Sequence, residues 1–424
     1  MSRLQSRQIS QLHLYQVLHT VRLAGGAMSR AEICESTRLS QPTVSSLTKR
    51  LLDNGALVEV GVRPSTGSGR RERELAINPE YLFVIGVKVS MHRITIALTD
   101  FAGGVRHTTS VDYNAPLTQA AMVRLMAVQI ENCLADAGGI SRTRLSGVGI
   151  TVAGFVDSMA GEVLWCPMLR PVAGTTIGLA EAMSEALDVP TFIENDANML
   201  ALAEQWFGAA GRHSNVLVMT LEHGLGMGLI INGELFRGHL GMAAEIGHIE
   251  IEPNGRACRC GKRGCLESYV AKYAVVAQAQ DDGLLPPGPT LPSRAVETAY
   301  VELAHRAANG EAGPLALFQR QARLLGRWLG NAINLIAPQL VILDTGNADA
   351  VNLYQPVLGL AMRRAMALPA RRQTQLVVCH RGEEVWARGA AALVLQRLDE
   401  SAEIVDAVSR HGFESEWIGK RPDV

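Results

Sequence analysis

Residues Glu245 to Glu267, EIGHIEIEPNGRACRCGKRGCLE, put one histidine, three cysteines and several carboxylates into a span too short to fold alone. The metal-ligand types fall in the order His248, Cys258, Cys260, Cys265, with Gly261 and Gly264 bending the loop between the last two cysteines. Four soft or borderline ligands can close a tetrahedral zinc site and leave no position for water, so the pattern predicts a structural metal rather than a catalytic one. Small buried cysteines can cluster without a metal. Here three of the chain's seven fall within eight residues of a Gly-rich, Arg/Lys-rich loop, which favours the metal.

Outward from this loop, the chain has 424 residues, 47% of them hydrophobic and 19% charged, as in an ordinary soluble globular protein. At about 150 residues per domain this length suggests two to four domains. The first residues, MSRLQSRQISQLHLYQ, lack an apolar core, and no apolar run is long enough to span a bilayer. Neither export nor membrane insertion is expected, and mostly scattered cysteines suit a reducing cytoplasm. The formal net charge of −1 is unevenly placed. Residues 1–75 hold eleven Lys/Arg against six Asp/Glu, a basic start on an acidic body, which hints at nucleic acid.

That basic segment reads as a small module of its own, residues 1–78. Ile9, Leu12, Tyr15, Leu18 and Val21 form an apolar stripe on a first helix that Gly25 and Gly26 stop. Ser29 and Glu32 make a capping box for a second helix. Ser40 can cap a third, whose first turn tolerates Pro42. The third helix would bury Val44, Leu47 and Leu51 and show Gln41, Pro42, Thr43, Ser45, Ser46, Lys49 and Arg50, short polar and basic groups suited to base edges and phosphates. Strands over Ala56–Val60 and Glu74–Ile77 would follow, joined by a Gly/Ser-rich loop carrying Arg70 and Arg71. Alone, that arginine pair is an ordinary solvated hairpin; after a helix-turn-helix it reads as a wing. The alternative for the whole module is a three-helix packing or dimerisation domain.

From Tyr81 onward, strand-like runs (FVIGVKV, ITIALTD, GVGITVAG, TFIEN, NVLVMTL, GLIIN, QLVILDT) alternate with helices near 116–136, 180–187, 197–207 and 315–336. This predicts an α/β body with helices covering mixed sheets. Asp281–Ser293 reads as a loop, and residues 401–424 as a loose tail.

AGFVD at Ala153–Asp157, ENDAN at Glu194–Asn198, EIGHI at Glu245–Ile249, CRCGKRGCLE at Cys258–Glu267 and GAAAL at Gly389–Leu393 together resemble the ROK family of sugar kinases and sugar-responsive repressors. The resemblance implies a two-lobed actin-like (ribonuclease H-like) body over residues 79–400, behind the winged helix-turn-helix of the repressor branch. It also implies a sugar pocket lined by Asn195, Asp196, Glu245, His248 and Glu267, with Asp196 in the place of the kinase base. His248 could then bind zinc through one ring nitrogen and a sugar oxygen through the other. The plainer reading of Asn195 and Asp196 is a strand-end turn capping the next helix.

Where kinases of the family carry D-x-G-G-T after the first strand, this chain has Lys88, Val89, Ser90, Met91 and His92. The second phosphate loop reads Glu222 to Gly228, EHGLGMG, and the third glycine turn Asp344 to Asn347, DTGN. Lost glycines and a carboxylate beside the phosphates argue against ATP, although Lys88 could by itself hold a phosphate. The reading is a DNA-binding transcriptional regulator, a repressor in its simplest form, that binds a sugar or sugar derivative without phosphorylating it. Its partners would be double-stranded operator DNA and another copy of itself, as dimer or tetramer. The alternatives are an active sugar kinase with a DNA-binding extension, and a regulator answering to a partner protein.

Overall fold

The computed structural model describes residues 3–63, 72–171, 175–289 and 293–400. Arg70, Arg71 and the tail at 401–424 lie outside the described residues. The chain opens with α1 (Arg3–Leu23), β1 (Met28–Ser29), α2 (Arg30–Thr37), α3 (Gln41–Asp53), β2 (Leu57–Arg63) and β3 (Glu72–Ile77). Both arms of the capping box are present: Glu32 N–H donates to Ser29 Oγ at 3.3 Å and Ser29 N–H to Glu32 Oε2 at 2.8 Å. Ser40 caps α3 and Pro42 sits in its first turn, where a missing N–H costs nothing. Val44, Leu47 and Leu51 are buried as expected, joined by Thr48, whose hydroxyl donates back to the Val44 carbonyl and accepts from Arg30.

The α1 stripe needs correction. Ile9 and Leu12 are exposed, while Leu14, Val17, Leu18 and Val21 are buried. The face is set by what α1 packs against, α2, α3, β3 and the C-terminal helix, and that contact covers only its later turns. The two expected strands are longer than read, and β1, too short to leave a sequence pattern, joins them in the order β1-β3-β2.

The body continues with β4 (Phe83–Val89), β5 (Arg93–Asp100), β6 (Val105–Asp112), α4 (Gln119–Asp136), β7 (Leu145–Val152), β8 (Phe155–Asp157), β9 (Glu162–Trp165), α5 (Leu179–Leu187), β10 (Thr191–Asn195) and α6 (Asp196–Phe207). The sheet order is β10-β7-β4-β5-β6. β4 and β7 are parallel and buried on both faces, hence their unbroken apolar runs. β6 is an edge strand of polar alternation, VRHTTSVD, which hydrophobicity could not reveal.

The second lobe holds β11 (Val216–Leu221), β12 (Leu225–Ile231), β13 (Glu234–Leu235), α7 (Glu267–Val270), α8 (Lys272–Asp281), α9 (Ser293–Ala308), α10 (Ala312–Ile336), β14 (Leu340–Asp344), α11 (Ala348–Ala365), α12 (Ala370–Gln373) and β15 (Gln375–Cys379). Its order is β13-β12-β11-β14-β15. The supposed loop at 281–293 is shorter, because Asp281 ends α8 and Ser293 begins α9. Finally α13 (Glu383–Glu400) crosses back onto the first sheet. There Gly86 and Gly149 let its backbone touch the strands; a Cβ at either would collide with the Ala387 or Ala390 carbonyl. The cleft lies between the lobes, at the carboxyl ends of β4, β7 and β10.

Candidate functional site

The metal loop folds as a knot of turns. Gly261 and Gly264 take positive φ, and at Gly264 a Cβ would strike the Glu252 carbonyl, so the bend demands glycine. His248 Nδ1 lies 3.6 Å from Cys258 Sγ, Cys260 Sγ lies 3.7 Å from Cys265 Sγ, and all four donor atoms fall within 4.8 Å of one another. Zinc bond lengths imply tetrahedron edges of about 3.8 Å between sulfurs and about 3.5 Å from sulfur to nitrogen. The His248–Cys258 and Cys260–Cys265 separations match those edges, and the remaining ones stay within 4.8 Å. Burial pushes the Cys258 thiol up to about 12, a crowded state that a divalent cation would relieve by holding the sulfurs as thiolates. The four residues could therefore hold a metal ion.

Because Nδ1 faces the sulfurs, the far side of the His248 ring faces the cleft, which His248 lines with Glu245 and Glu267. Burial first, then the charges of Asp196 and Glu267, raises Glu245 to about 7. Such a carboxyl can either donate to or accept from a hydroxyl near neutrality. Glu267 is more committed: one oxygen accepts from the Leu225 N–H at 3.2 Å and the other from the Tyr273 hydroxyl at 3.3 Å.

Asn195 closes β10 and caps α6. Its carbonyl oxygen accepts from the Ala197 and Asn198 N–H groups at 2.9 and 3.4 Å, and its amide donates to the Gly154 carbonyl at 2.9 Å. The capping arrangement weighed as the plainer reading is therefore present, and one amide hydrogen is left for anything in the cleft. Asp196 follows in the first turn of α6, with Oδ1 accepting from Ala197 N–H.

Its other oxygen is taken by Lys88. The Lys88 ammonium lies 3.0 Å from Asp196 Oδ2 and 5.0 Å from the Trp386 ring centroid, with its side chain 2% exposed. Burial would depress this lysine, but Asp196, Glu222 and Glu383 outweigh it and raise it above its ordinary value. Lys88, which by its charge alone could hold a phosphate, is paired here with a carboxylate. Lys272, buried nearby, donates to both Glu297 oxygens at 2.9 Å and to the Gly346 carbonyl at 3.2 Å. The third glycine turn is thus tied down by a side chain. Asp344 beneath it accepts from the Gly346 and Arg381 N–H groups and rises to about 7, burial being the main cause.

Sequence reasoning passed over Glu194, fully buried, which binds Asn195 N–H, Asn198 and Arg237. Its place in ENDAN was a signal; Arg237 and Trp386, distant in sequence, left none. On α3, Gln41, Pro42, Ser45, Ser46, Lys49 and Arg50 are exposed and Thr43 half-buried, so these residues share one free face.

The ROK family profile matches residues 84–397. The chain belongs to the ROK family. It is 32% identical over 327 residues to the xylose repressor of Bacillus subtilis (strain 168), across 76% of this chain and 79% of that protein. To the N-acetylglucosamine repressor of Escherichia coli O157:H7 it is 30% identical over 374 residues, 87% of this chain and 89% of the other. Among solved structures, a ROK family transcriptional regulator homologous to the E. coli MLC protein superposes with a TM-score of 0.79 at 24% identity, covering 95% of this chain and all of that one. A ROK family glucokinase from Streptomyces griseus, in complex with glucose and AMPPNP, gives 0.61 at 29% identity, covering 73% of this chain and 98% of the other. The body is accordingly the actin-like ROK fold, with a helical module before it. No helix among the described residues is long and apolar enough to cross a membrane.

Proposed function

We propose that the chain is a DNA-binding transcriptional regulator, a repressor, whose ROK body binds a sugar or sugar derivative in its cleft and does not phosphorylate it. The observation that carries this reading is Lys88 on Asp196. The carboxylate that would meet the hydroxyl proton is drawn into an ion pair by a buried ammonium through one oxygen and holds a backbone N–H through the other, so the protein itself engages it. Phosphoryl transfer also needs the nucleotide phosphates cradled, yet Glu222 and the Lys272–Glu297 pair occupy the turns that the family resemblance gives to them. The repressor names of the relatives matched over most of the chain support the same reading.

In this reading residues 1–78 are the DNA-binding domain and 79–400 the sugar-sensing one, ahead of a tail at 401–424. Gln41, Pro42, Thr43, Ser45, Ser46, Lys49 and Arg50 enter the major groove, and Arg70 and Arg71 contact the backbone. Asn195, Asp196, Glu245, His248 and Glu267 hold the sugar. His248, Cys258, Cys260 and Cys265 hold zinc, whose contribution is shape: it fixes the His248 ring against the cleft. The protein works in the cytoplasm as a dimer or tetramer, because paired half-sites need paired modules.

A gel shift on the DNA upstream of its own gene, with and without D-xylose, D-glucose and N-acetylglucosamine, tests both halves. Sequence-selective binding at moderate salt that one sugar alters is the expected result. Sustained ADP release from ATP with any of these sugars would overturn the non-enzyme reading in favour of a kinase.

A further inference from the structure

Two helices connect the cleft to the DNA-binding module, and a buried cation joins them at each end. α6 begins with Asp196 in the cleft and carries Trp206 in its last turn. α13 begins beside Lys88, with Trp386, and carries Asp399 in its last turn. At the cleft end, Lys88 reaches Asp196 at 3.0 Å and the Trp386 ring at 5.0 Å. At the far end, Arg22 of α1 pairs with Asp399, lies 5.4 Å from the Trp206 ring centroid and donates to the Phe101 carbonyl at 3.2 Å. The Arg22 and Asp399 side chains are 1% and 0% exposed. His19, one turn earlier on α1, meets Trp206 edge-on at 5.4 Å.

Little between these ends can absorb a shift. A Cβ at Gly389 of α13 would collide with the Met199 carbonyl of α6, and one at Gly86, Gly149 or Gly228 with the carbonyl of Ala387, Ala390 or Ala197. Backbone thus rests on backbone along both helices. Side chains cannot rotate to cushion such contacts, so a displacement at one end is carried to the other. The helices have 12 and 18 residues, roughly 18 and 27 Å of rigid length.

We propose that Lys88 and Arg22 are the two ends of one coupling between the cleft and α1. A ligand hydroxyl that donates to Asp196 competes with Lys88 for the carboxylate. Lys88 cannot stay buried and unmatched, so it gives up its hold on Asp196 and releases α6 from α13 at that end. The changed seating of α6 on α13 alters the grip of Trp206 and Asp399 on Arg22, and with it the set of α1 and α3. This rests on the sugar-regulator reading above for its ligand, but not for its mechanical part.

The test is hydrogen exchange, followed by mass spectrometry, on the full chain. Lys88→Met is expected to speed amide exchange in α1 roughly threefold or more while leaving α10, in the other lobe, protected. Should that variant not fold, Trp386→Phe puts a smaller and weaker ring under the ammonium and is expected to act in the same direction, less strongly. Reciprocally, Asp399→Asn is expected to speed exchange around residues 88–92. If folded Lys88→Met or Trp386→Phe leaves α1 at the wild-type rate, the coupling is overturned. D-xylose, D-glucose and N-acetylglucosamine added to the wild type separate the two claims. Sugars that shift operator affinity while both cleft variants leave α1 unchanged sink the coupling alone. Variants that loosen α1 while no sugar does anything uphold the coupling and sink the sugar reading.

Discussion

The two ends of the cleft are built in opposite ways. On the metal-loop side, the Glu245 carboxyl and the far nitrogen of His248 have no protein partner among the described residues, and Glu245 titrates near neutrality. On the side that a nucleotide would occupy by the family resemblance, each buried cation is already matched: Lys88 by Asp196, Lys272 by Glu297. Unpaired polar groups that line a cleft can take partners from a ligand, whereas paired buried ions keep theirs. The contrast is the one the proposed regulator reading calls for: an open side for a ligand and a side where the cations are already paired.

The strongest way to break this contrast is at the open end. Cys260→Ser is expected to lose the metal, measured by bound zinc per chain, and to destabilise the second lobe by about 4 kcal/mol or more, read by denaturant melts. It should also weaken sugar binding by roughly tenfold or more, because His248 loses its orientation. A metal-free variant that binds sugar normally would separate the loop from the cleft.

At the closed end, Lys88→Met leaves Asp196 without its cation. A loss of about 3 kcal/mol is expected in urea unfolding, since breaking one side of a buried pair strands the other charge. No ADP release should appear, because the phosphate turns remain blocked. An unchanged stability would mean that the pair is not holding the cleft.

A smaller effect comes from His223, at the same end. Burial first, then Lys272 and Arg259 beside it, lowers its imidazole from 6.5 to about 3. The folded chain therefore binds fewer protons than the unfolded one between those values. This contribution to stability is complete above pH 6.5 and lost as pH falls toward 3. His223→Gln should flatten the acid limb of a stability–pH curve, and an identical limb would show that other groups govern it.

The smallest change sits where the two ends meet. A Cβ at Gly224 would lie 2.9 Å from Glu267 Oε2. Gly224→Ala is therefore expected to cost about 1 kcal/mol and to shift sugar affinity, seen by calorimetry, more than it shifts melting. Equal effects on both would make Glu267 a packing residue only.

Much of this was legible beforehand wherever the signal was local. The His/Cys cluster of one short loop, the Ser29–Glu32 box, the Ser40 cap and the continuous apolar strands each depend on residues close together in the chain. Ile9 and Leu12 misled because helical periodicity identifies a face without saying how much of it another element will cover. β6 stayed hidden because an edge strand needs no apolar alternation.

By itself, then, the sequence determined the clustering of His248 with three cysteines, the capped helices α2 and α3 and the alternation of an α/β body, since short-range spacing carries the chemistry of ligands, caps and turns. Only the tertiary structure decided that Lys88 answers Asp196, 108 residues away, and that Arg22 answers Asp399, 377 residues away. Charge pairing acts over a few ångströms of space, and two sheets and a returning C-terminal helix are needed to bring those partners together.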